Sequence, residues 1–263
     1  MTSNNKYSLD MWDWFYSWER KIHIKPKQGF FQSYDIFLCD EILKQYLPIN
    51  EWNNKLKICE IWSWDWKLLK KISNMFNYEP TWLEYSPEWV QQWLDNWVNT
   101  VLCDAFNDNQ LKPYFEYFDI VYSYWFIEHI IPVENAIKQH LKILKKWWIL
   151  ILQIPRLKWL NYLKFKFFRP DLIPLHNIDL MEDYILSKHC KWFEELEEIL
   201  CKNYWTLKIR LPIDKKWFKY YLLKIIGSLE YITNPFMRFL FWKKWFETSI
   251  LSPSVIYIWK KIK

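Results

Sequence analysis

The hydrophobic and polar positions of the chain change period several times, and each change marks a predicted element. Short apolar runs, typical of buried strands, alternate with stretches whose apolar residues recur every three or four positions, typical of helices. The predicted strands span 55–61, 80–84, 99–103, 118–123 and 149–154. The predicted helices between them span 67–76, 88–96 and 133–144. This alternation predicts an α/β fold in which helices cover both faces of a mostly parallel sheet.

The two ends of the chain have a different pattern from this alternating part. Near the start, the segment YDIFLCDEILKQY predicts a helix that ends by Pro48. After Pro155, the segment CKWFEELEEILCKN has the spacing of an amphipathic helix, and YWTLKIRLP and SVIYIWKKI predict two more strands.

These patterns predict one domain with additions, since 263 residues suit a single α/β unit. We expect a helical N-terminal cap over 1–50 and a core over 51–160. The C-terminal part, 161–263, belongs to the same domain and supplies its last strands. Two aromatic and basic insertions are predicted at about 156–188 and 214–250.

Composition changes the interpretation of the turns in this fold. The chain contains 21 Trp and only 2 Gly, Gly29 and Gly227, whereas average usage predicts roughly 18 glycines. Turns and helix ends need residues that tolerate positive φ, and tryptophan is among the least suited to it. We therefore hypothesise that most tryptophans stand where the functional protein has glycine. A UGA codon that the source organism reads as glycine, translated as tryptophan, would produce this pattern. A genuinely Trp-rich binding module remains the alternative.

Charge and cysteine usage narrow the class of protein further. The formal net charge is +6 and the lysines are scattered as pairs, which favours an ordinary solvated surface and predicts no nucleic-acid partner. The five cysteines are spread singly without a CxxC pair, so we expect a reducing, cytoplasmic setting and no bound metal. No apolar run reaches the length of a membrane-spanning helix, about 18 residues, although peripheral contact with a membrane is allowed.

A short segment after the first predicted strand carries the most informative motif. In CEIWSWDW, Glu60 is followed by Trp62, Trp64 and Trp66 at alternate positions, where the strand ends and a helix begins. With glycine at the three tryptophans, the segment resembles the first motif of class I S-adenosylmethionine-dependent methyltransferases (types 11, 12 and 23), which is E-x-G-x-G-x-G. The resemblance covers about residues 52–160. It implies a Rossmann-like, doubly wound, seven-stranded sheet and S-adenosyl-L-methionine as cofactor.

The same resemblance implies roles for residues at the ends of the predicted strands. The glycine turn would approach the cofactor closely, the acid after the second strand would accept the ribose hydroxyls, and the acid after the third would face the adenine amino group. The loop after the fourth strand would line the methionine end and the substrate mouth. The implied cofactor-binding residues are Glu60, Trp62, Ser63, Trp64, Asp65, Trp66, Glu84, Tyr85, Asp104, Ala105, Ser123, Tyr124 and Trp125.

Two of these acids have plain alternatives. Glu84 could be a solvated acid in a turn, and Asp104 could cap a helix.

The resemblance also implies direct transfer of the sulfonium methyl group to a nucleophile, without a metal. His129 is the candidate general base, while an orienting role for the Glu128–His129 pair is the alternative. The spacing of the other histidines suggests no metal site, and His176 lies in the segment that would form a substrate lid. We expect a small-molecule acceptor, lipid-like or glycan in character, shaped by the cap and the two insertions. The sequence does not predict the oligomeric state.

Two other functions remain open at this point. A dinucleotide-binding oxidoreductase of the NAD type would need glycine at 62, 64 and 67, but position 67 is Lys. A non-enzymatic Trp-rich module would need its indoles on one exposed face.

Overall fold

The computed structural model describes residues 34–51, 54–62, 66–93, 99–182, 184–204, 218–242, 250 and 252–263. Seven strands form one sheet: β1 (Lys57–Ile61), β2 (Glu79–Glu84), β3 (Asn99–Leu102), β4 (Phe118–Tyr124), β5 (Leu144–Pro155), β6 (Leu196–Tyr204) and β7 (Ser254–Lys261). Their order across the sheet is β3-β2-β1-β4-β5-β7-β6. β1 to β5 run parallel, and β7 is antiparallel to both of its neighbours. The predicted α/β fold with a mostly parallel, doubly wound, seven-stranded sheet is confirmed.

Eight helices accompany the sheet in the described residues: α1 (Tyr34–Tyr46), α2 (Trp66–Phe76), α3 (Pro87–Trp93), α4 (Asp108–Leu111), α5 (Val133–Ile143), α6 (Trp159–Phe168), α7 (Ile185–Cys190) and α8 (Phe218–Phe241). Short 3-10 turns lie at Lys112–Tyr114, Ile127–His129, Pro170–Leu175 and Asp179–Met181.

The central strands are apolar throughout because the sheet is covered on both faces. Successive residues of β4 alternate between two buried clusters, with Val121 in one and Ile120 and Tyr122 in the other. The same division separates Cys59 from Ile58 in β1. Because both faces are buried, consecutive residues of these strands are apolar, and such continuous apolar runs could be recognised in the sequence.

One predicted element is wrong. The segment 190–203 has the apolar spacing of an amphipathic helix, but the structure ends α7 at Cys190 and places β6 over Leu196–Tyr204. β6 pairs with β7, and its register shifts between Glu198 and Leu200. Such a bulge takes one residue out of the alternation, so Leu196 lies in one buried cluster and Leu200 packs against the other. The apolar residues of β6 therefore lack the regular alternation that would identify a strand. Apart from Tyr204, the residues of the strand predicted from YWTLKIRLP lie outside the described part of the chain.

The long helix α8 presents an apolar stripe to the surface. Exposed side chains recur along it at spacings of three or four: Phe218, Tyr221, Ile225, Leu229, Ile232, Phe236 and Phe239. In the part of the chain that the structure describes, no helix is both long and apolar enough to span a bilayer.

Candidate active site

The carboxyl ends of β1, β2, β3 and β4 lie at the same edge of the sheet because these strands are parallel. In open α/β sheets, ligands bind at this edge, where the strand order reverses. The reversal here falls between β1 and β4, which are paired although β2 and β3 separate them in sequence. The predicted site residues that the structure describes therefore lie near the edge where such a fold places a ligand.

Trp62 occupies the middle of this edge. Its backbone N–H donates to the Leu83 carbonyl over 2.9 Å, and its φ of 49° lies in the left-handed region. The indole stacks on Tyr85 at 5.1 Å between ring centroids, and it also contacts Phe126 at 5.0 Å and Phe106 at 6.0 Å. The indole thus fills the space between the loops that follow β2, β3 and β4.

The rest of the predicted glycine turn is only partly described. Glu60 is fully buried in β1, two residues before Trp62. Ser63, Trp64 and Asp65 lie outside the described residues, and Trp66 is the first residue of α2. Of the three predicted glycine positions, Trp62 is the one whose side-chain contacts the structure describes.

Glu84 ends β2 beside Trp62 and is 3% exposed. One carboxylate oxygen accepts a hydrogen bond from the Ser86 backbone N–H over 2.9 Å. Its own carbonyl accepts from the Cys103 N–H, which links the end of β2 to the end of β3. Glu84 is not the solvated turn acid of the alternative interpretation, because its side chain is buried at the ligand edge.

Asp104 follows β3 and is partly exposed. Its Oδ1 accepts from the Phe106 N–H over 2.9 Å, and its N–H donates to the side chain of Gln110. The adjacent Ala105 is fully buried. The helix cap in this loop is Asn107, which precedes α4, so Asp104 does not serve as its cap.

Ser123, Tyr124 and Trp125 form the end of β4 and the first step of the loop after it. The Ser123 hydroxyl is buried and has no hydrogen-bond partner among the described residues. Tyr124 stacks on Trp125 at 5.0 Å, and Trp125 has a φ of 56°. Phe126, next in sequence, packs against the Trp62 indole, so the β4 loop reaches the centre of the site.

His129 and Glu128 lie one turn further along, next to His176. His129 Nδ1 is 2.6 Å from the Leu175 carbonyl, and its ring centroid is 4.6 Å from that of His176. The Asn177 N–H donates to the Glu128 carbonyl over 2.8 Å, which fixes the 170–177 segment against the loop. Sequence reasoning placed His176 in this region but did not predict its contact with His129, because 47 residues separate them.

Burial shifts the pKa values of Glu128, His129 and His176. It lowers the pKa of His129 to about 3, with a further contribution from His176, and it also lowers the pKa of His176. Burial raises the pKa of Glu128 well above its usual range. Both imidazoles are therefore neutral at pH 7, and a neutral His129 with so low a pKa is a weak base. General-base catalysis by His129 stays a prediction.

Sequence reasoning did not assign Phe106 and Phe126 to the site, although they form its walls with Tyr85. The signal was present in the positions of these aromatics, each two residues or fewer from a predicted strand-end residue. Aromatic faces at this edge suit a flat heterocycle such as adenine.

The strand ends fit an adenosyl ligand, but the Trp62 side chain does not. Glu84 and Asp104 present carboxylates at the ends of adjacent strands, and aromatic rings flank them. The Trp62 indole lies among those same rings, in space that the turn would leave open if residue 62 had no Cβ.

The backbone conformation at several other tryptophans also favours glycine. Within the described residues, eight non-glycine residues have positive φ, and five of them are tryptophan: Trp62, Trp125, Trp147, Trp159 and Trp242. Non-glycine residues with positive φ are uncommon, and those that occur are enriched in Asn, Asp and His. Asn77 is such a case. The conformation at the five tryptophans is the one that favours glycine.

Comparisons with known proteins agree with the architecture. No protein-family model matches the chain, and no curated protein sequence matches it. Among solved structures, it is similar to a SAM-dependent methyltransferase from Archaeoglobus fulgidus, with 15% identity, coverage of 95% of this chain and 100% of that one, and a TM-score of 0.54. A SAM-dependent methyltransferase from Thermotoga maritima gives 15% identity, 85% and 89% coverage, and a TM-score of 0.52. A chain in the complex between the Haloferax volcanii Trm112 methyltransferase activator and a methyltransferase is also similar. It has 10% identity, coverage of 86% of this chain and 90% of that one, and a TM-score of 0.55. At these identities the likeness shows the fold.

Proposed function

We propose, from the fold of class I S-adenosylmethionine-dependent methyltransferases, that this protein transfers a methyl group from S-adenosyl-L-methionine to a small-molecule acceptor. The observation that carries the proposal is the pair of strand-end acids, Glu84 and Asp104, at the edge where β1 and β4 meet. Glu84 and Asp104 would hold the adenosine portion, and the β4 loop would border its reactive end. The cofactor would supply the activated methyl group.

The proposal includes glycine at position 62 of the functional protein, and at most other tryptophan positions. Three observations support it: the left-handed backbone at five tryptophans, the indole in the ligand space, and indole N–H groups that are buried without acceptors. Among the described residues, the Nε1 atoms of Trp62, Trp82 and Trp259 have no hydrogen-bond partner. A buried Trp N–H normally finds one, and leaving it unpaired costs about 1–3 kcal/mol.

Protein isolated from its native source should contain glycine where the backbone is left-handed. We expect peptide mass spectrometry to find glycine at 62, 125, 147, 159 and 242, because glycine adopts positive φ without a steric penalty. The corresponding codons should be UGA. Tryptophan at 62 in the native peptide, or UGG at all five codons, would refute the misreading.

The acceptor that the surface supports best is apolar and lipid-like. A cleft of about 510 Å³, within the size range of small-molecule sites, is lined by Leu160, Tyr162, Leu163 and Ile178, and Ile178 is two residues from His176. Lys158 and Glu182 in its wall form an ion pair of 2.6 Å. The apolar stripe of α8 would suit contact with a bilayer that holds such an acceptor.

The nucleotide that binds distinguishes this proposal from an NAD-type oxidoreductase. In the full-length chain with glycine at 62, 64 and 66, calorimetry should detect binding of S-adenosylmethionine and no binding of NAD⁺. The physical reason is position 67, where Lys occupies the place of the third glycine of a dinucleotide motif. NAD⁺ binding without S-adenosylmethionine binding would reverse the assignment.

A Trp-rich binding module has weaker support. It would place its indoles together on an exposed face. Instead, Trp82 and Trp259 are fully buried, and the exposed tryptophans of the described residues belong to separate elements or loops: Trp147, Trp159, Trp192 and Trp242.

A further inference from the structure

One group of potential metal ligands has no role in the proposed function: Glu128, His129 and His176. One potential ligand atom from each side chain lies within 4.8 Å of the other two. Glu128 and His129 come from the loop after β4, and His176 comes from the segment after α6. Among the described residues, this is the group in which three such atoms converge.

Both imidazole rings are oriented in the way that metal-binding histidines commonly are. His129 Nδ1 lies 2.6 Å from the Leu175 carbonyl, and His176 Nδ1 lies 2.7 Å from the Leu172 carbonyl. A carbonyl oxygen can only accept, so each Nδ1 must carry the proton and donate it. Each neutral ring then keeps a lone pair on Nε2, and the backbone bond fixes the direction in which that lone pair points.

Glu128 supplies the independent observation. Its side chain is fully buried, and within the described residues neither carboxylate oxygen has a hydrogen-bond partner. Its Oε1 lies 3.7 Å from His129 Nε2, too far for a hydrogen bond. An ionised Glu128 would be a buried charge without compensation, and a protonated one would bury an unpaired O–H. A bound cation removes both deficits.

We propose that Glu128, His129 and His176 bind a divalent transition-metal ion such as Zn²⁺. Two imidazole nitrogens and one carboxylate form a ligand set that first-row metals favour, and three protein ligands leave a position for water or an oxygen atom of a ligand. Ligand atoms in such sites lie about 3–4 Å apart, given bonds of about 2.0–2.2 Å. The three potential ligand atoms lie within 4.8 Å of one another, so a bound ion would draw them about 1 Å closer together. This proposal departs from the sequence-based expectation of no metal, because the ligands are distant in sequence.

The test is metal binding by the full-length chain, without cofactor or acceptor. We expect one equivalent of Zn²⁺ per chain by elemental analysis, and calorimetric binding of Zn²⁺ and Co²⁺ with Kd of about 1 μM or tighter. Bound Co²⁺ should absorb in the visible more strongly than aqueous Co²⁺. Glu128→Gln and His176→Gln should each weaken binding at least about tenfold, with circular dichroism checking that both variants fold.

A second carboxylate–histidine pair provides the matched control. Glu134 and His189 lie 2.6 Å apart, but no third ligand converges on them among the described residues. Glu134→Gln and His189→Gln should leave metal binding unchanged. The proposal is overturned if the full-length chain binds neither Zn²⁺ nor Co²⁺, if it binds only Mg²⁺, or if the control variants lose metal as Glu128→Gln does. Since the measurement needs no S-adenosylmethionine, its outcome is independent of the proposed methyl transfer.

Discussion

Trp62→Gly is expected to raise the affinity of the chain for S-adenosylmethionine about a thousandfold. The indole lies among Tyr85, Phe106 and Phe126, at the ligand edge of the sheet. A ligand that uses this space must first expel the indole. Re-exposing about 150 Å² of apolar surface costs about 4 kcal/mol at about 25 cal/mol per Å², which corresponds to about three decades in Kd. Isothermal calorimetry on the two purified chains measures the difference.

Trp147→Gly is the matched control for this substitution. Trp147 also has a left-handed backbone, with a φ of 72°, but its side chain is exposed and lies near the start of β5, at the opposite edge of the sheet. The control should raise the free energy of unfolding by about 1 kcal/mol through relief of backbone strain, and it should leave the affinity unchanged. Equal affinities of the original chain and Trp62→Gly would show that residue 62 does not border the cofactor.

In the glycine-containing chain, Glu84→Ala is expected to weaken S-adenosylmethionine binding about 10- to 150-fold. The loss corresponds to about 1.5–3 kcal/mol, the scale of hydrogen bonds to a charged group. Glu84 is buried at the end of β2, where its carboxylate would also accept hydrogen bonds from the ligand's hydroxyl groups. Calorimetry with S-adenosylmethionine measures the change.

Two further variants separate ligand binding from loop shape. Glu84→Gln keeps an oxygen that can accept from the Ser86 N–H but loses the charge, so its affinity should fall between those of the other two chains. Glu88→Ala removes an exposed acid four residues further on and should have no effect. If Glu84→Ala binds as tightly as its parent, Glu84 does not hold the ribose.

Strands that are buried on both faces could be predicted from the sequence, and this accounts for most of the predicted fold. β1, β2, β4, β5 and β7 are covered on both faces, and their continuous apolar runs identify them without any tertiary information. β6 could not be recognised in this way. It pairs with β7 across a register shift, and the bulge there interrupts the alternation of apolar and polar residues that identifies a strand. Its conformation depends on a partner that lies 50 residues further along the chain.

In the candidate site, too, some residues could be predicted from the sequence and others could not. Glu84 and Asp104 could be predicted because each directly follows a recognisable strand, and parallel strands bring such ends together. The Glu128–His129–His176 group could not, since the approach of His176 depends on how α6 and the 3-10 turn Pro170–Leu175 pack against the loop after β4. No local pattern in the sequence encodes that packing.

The position of β7 has a consequence for biosynthesis. β7, formed by Ser254–Lys261, follows β6 along the chain, yet it lies inside the sheet between β5 and β6. β6 joins the sheet through β7. Until β7 has been translated, β5 has one unpaired edge and β6 has no place in the sheet, so the sheet can close only after residue 261 has been synthesised. A chain truncated before Ser254 would lack β7 and expose the unpaired edges of β5 and β6, the feature that drives proteins to aggregate.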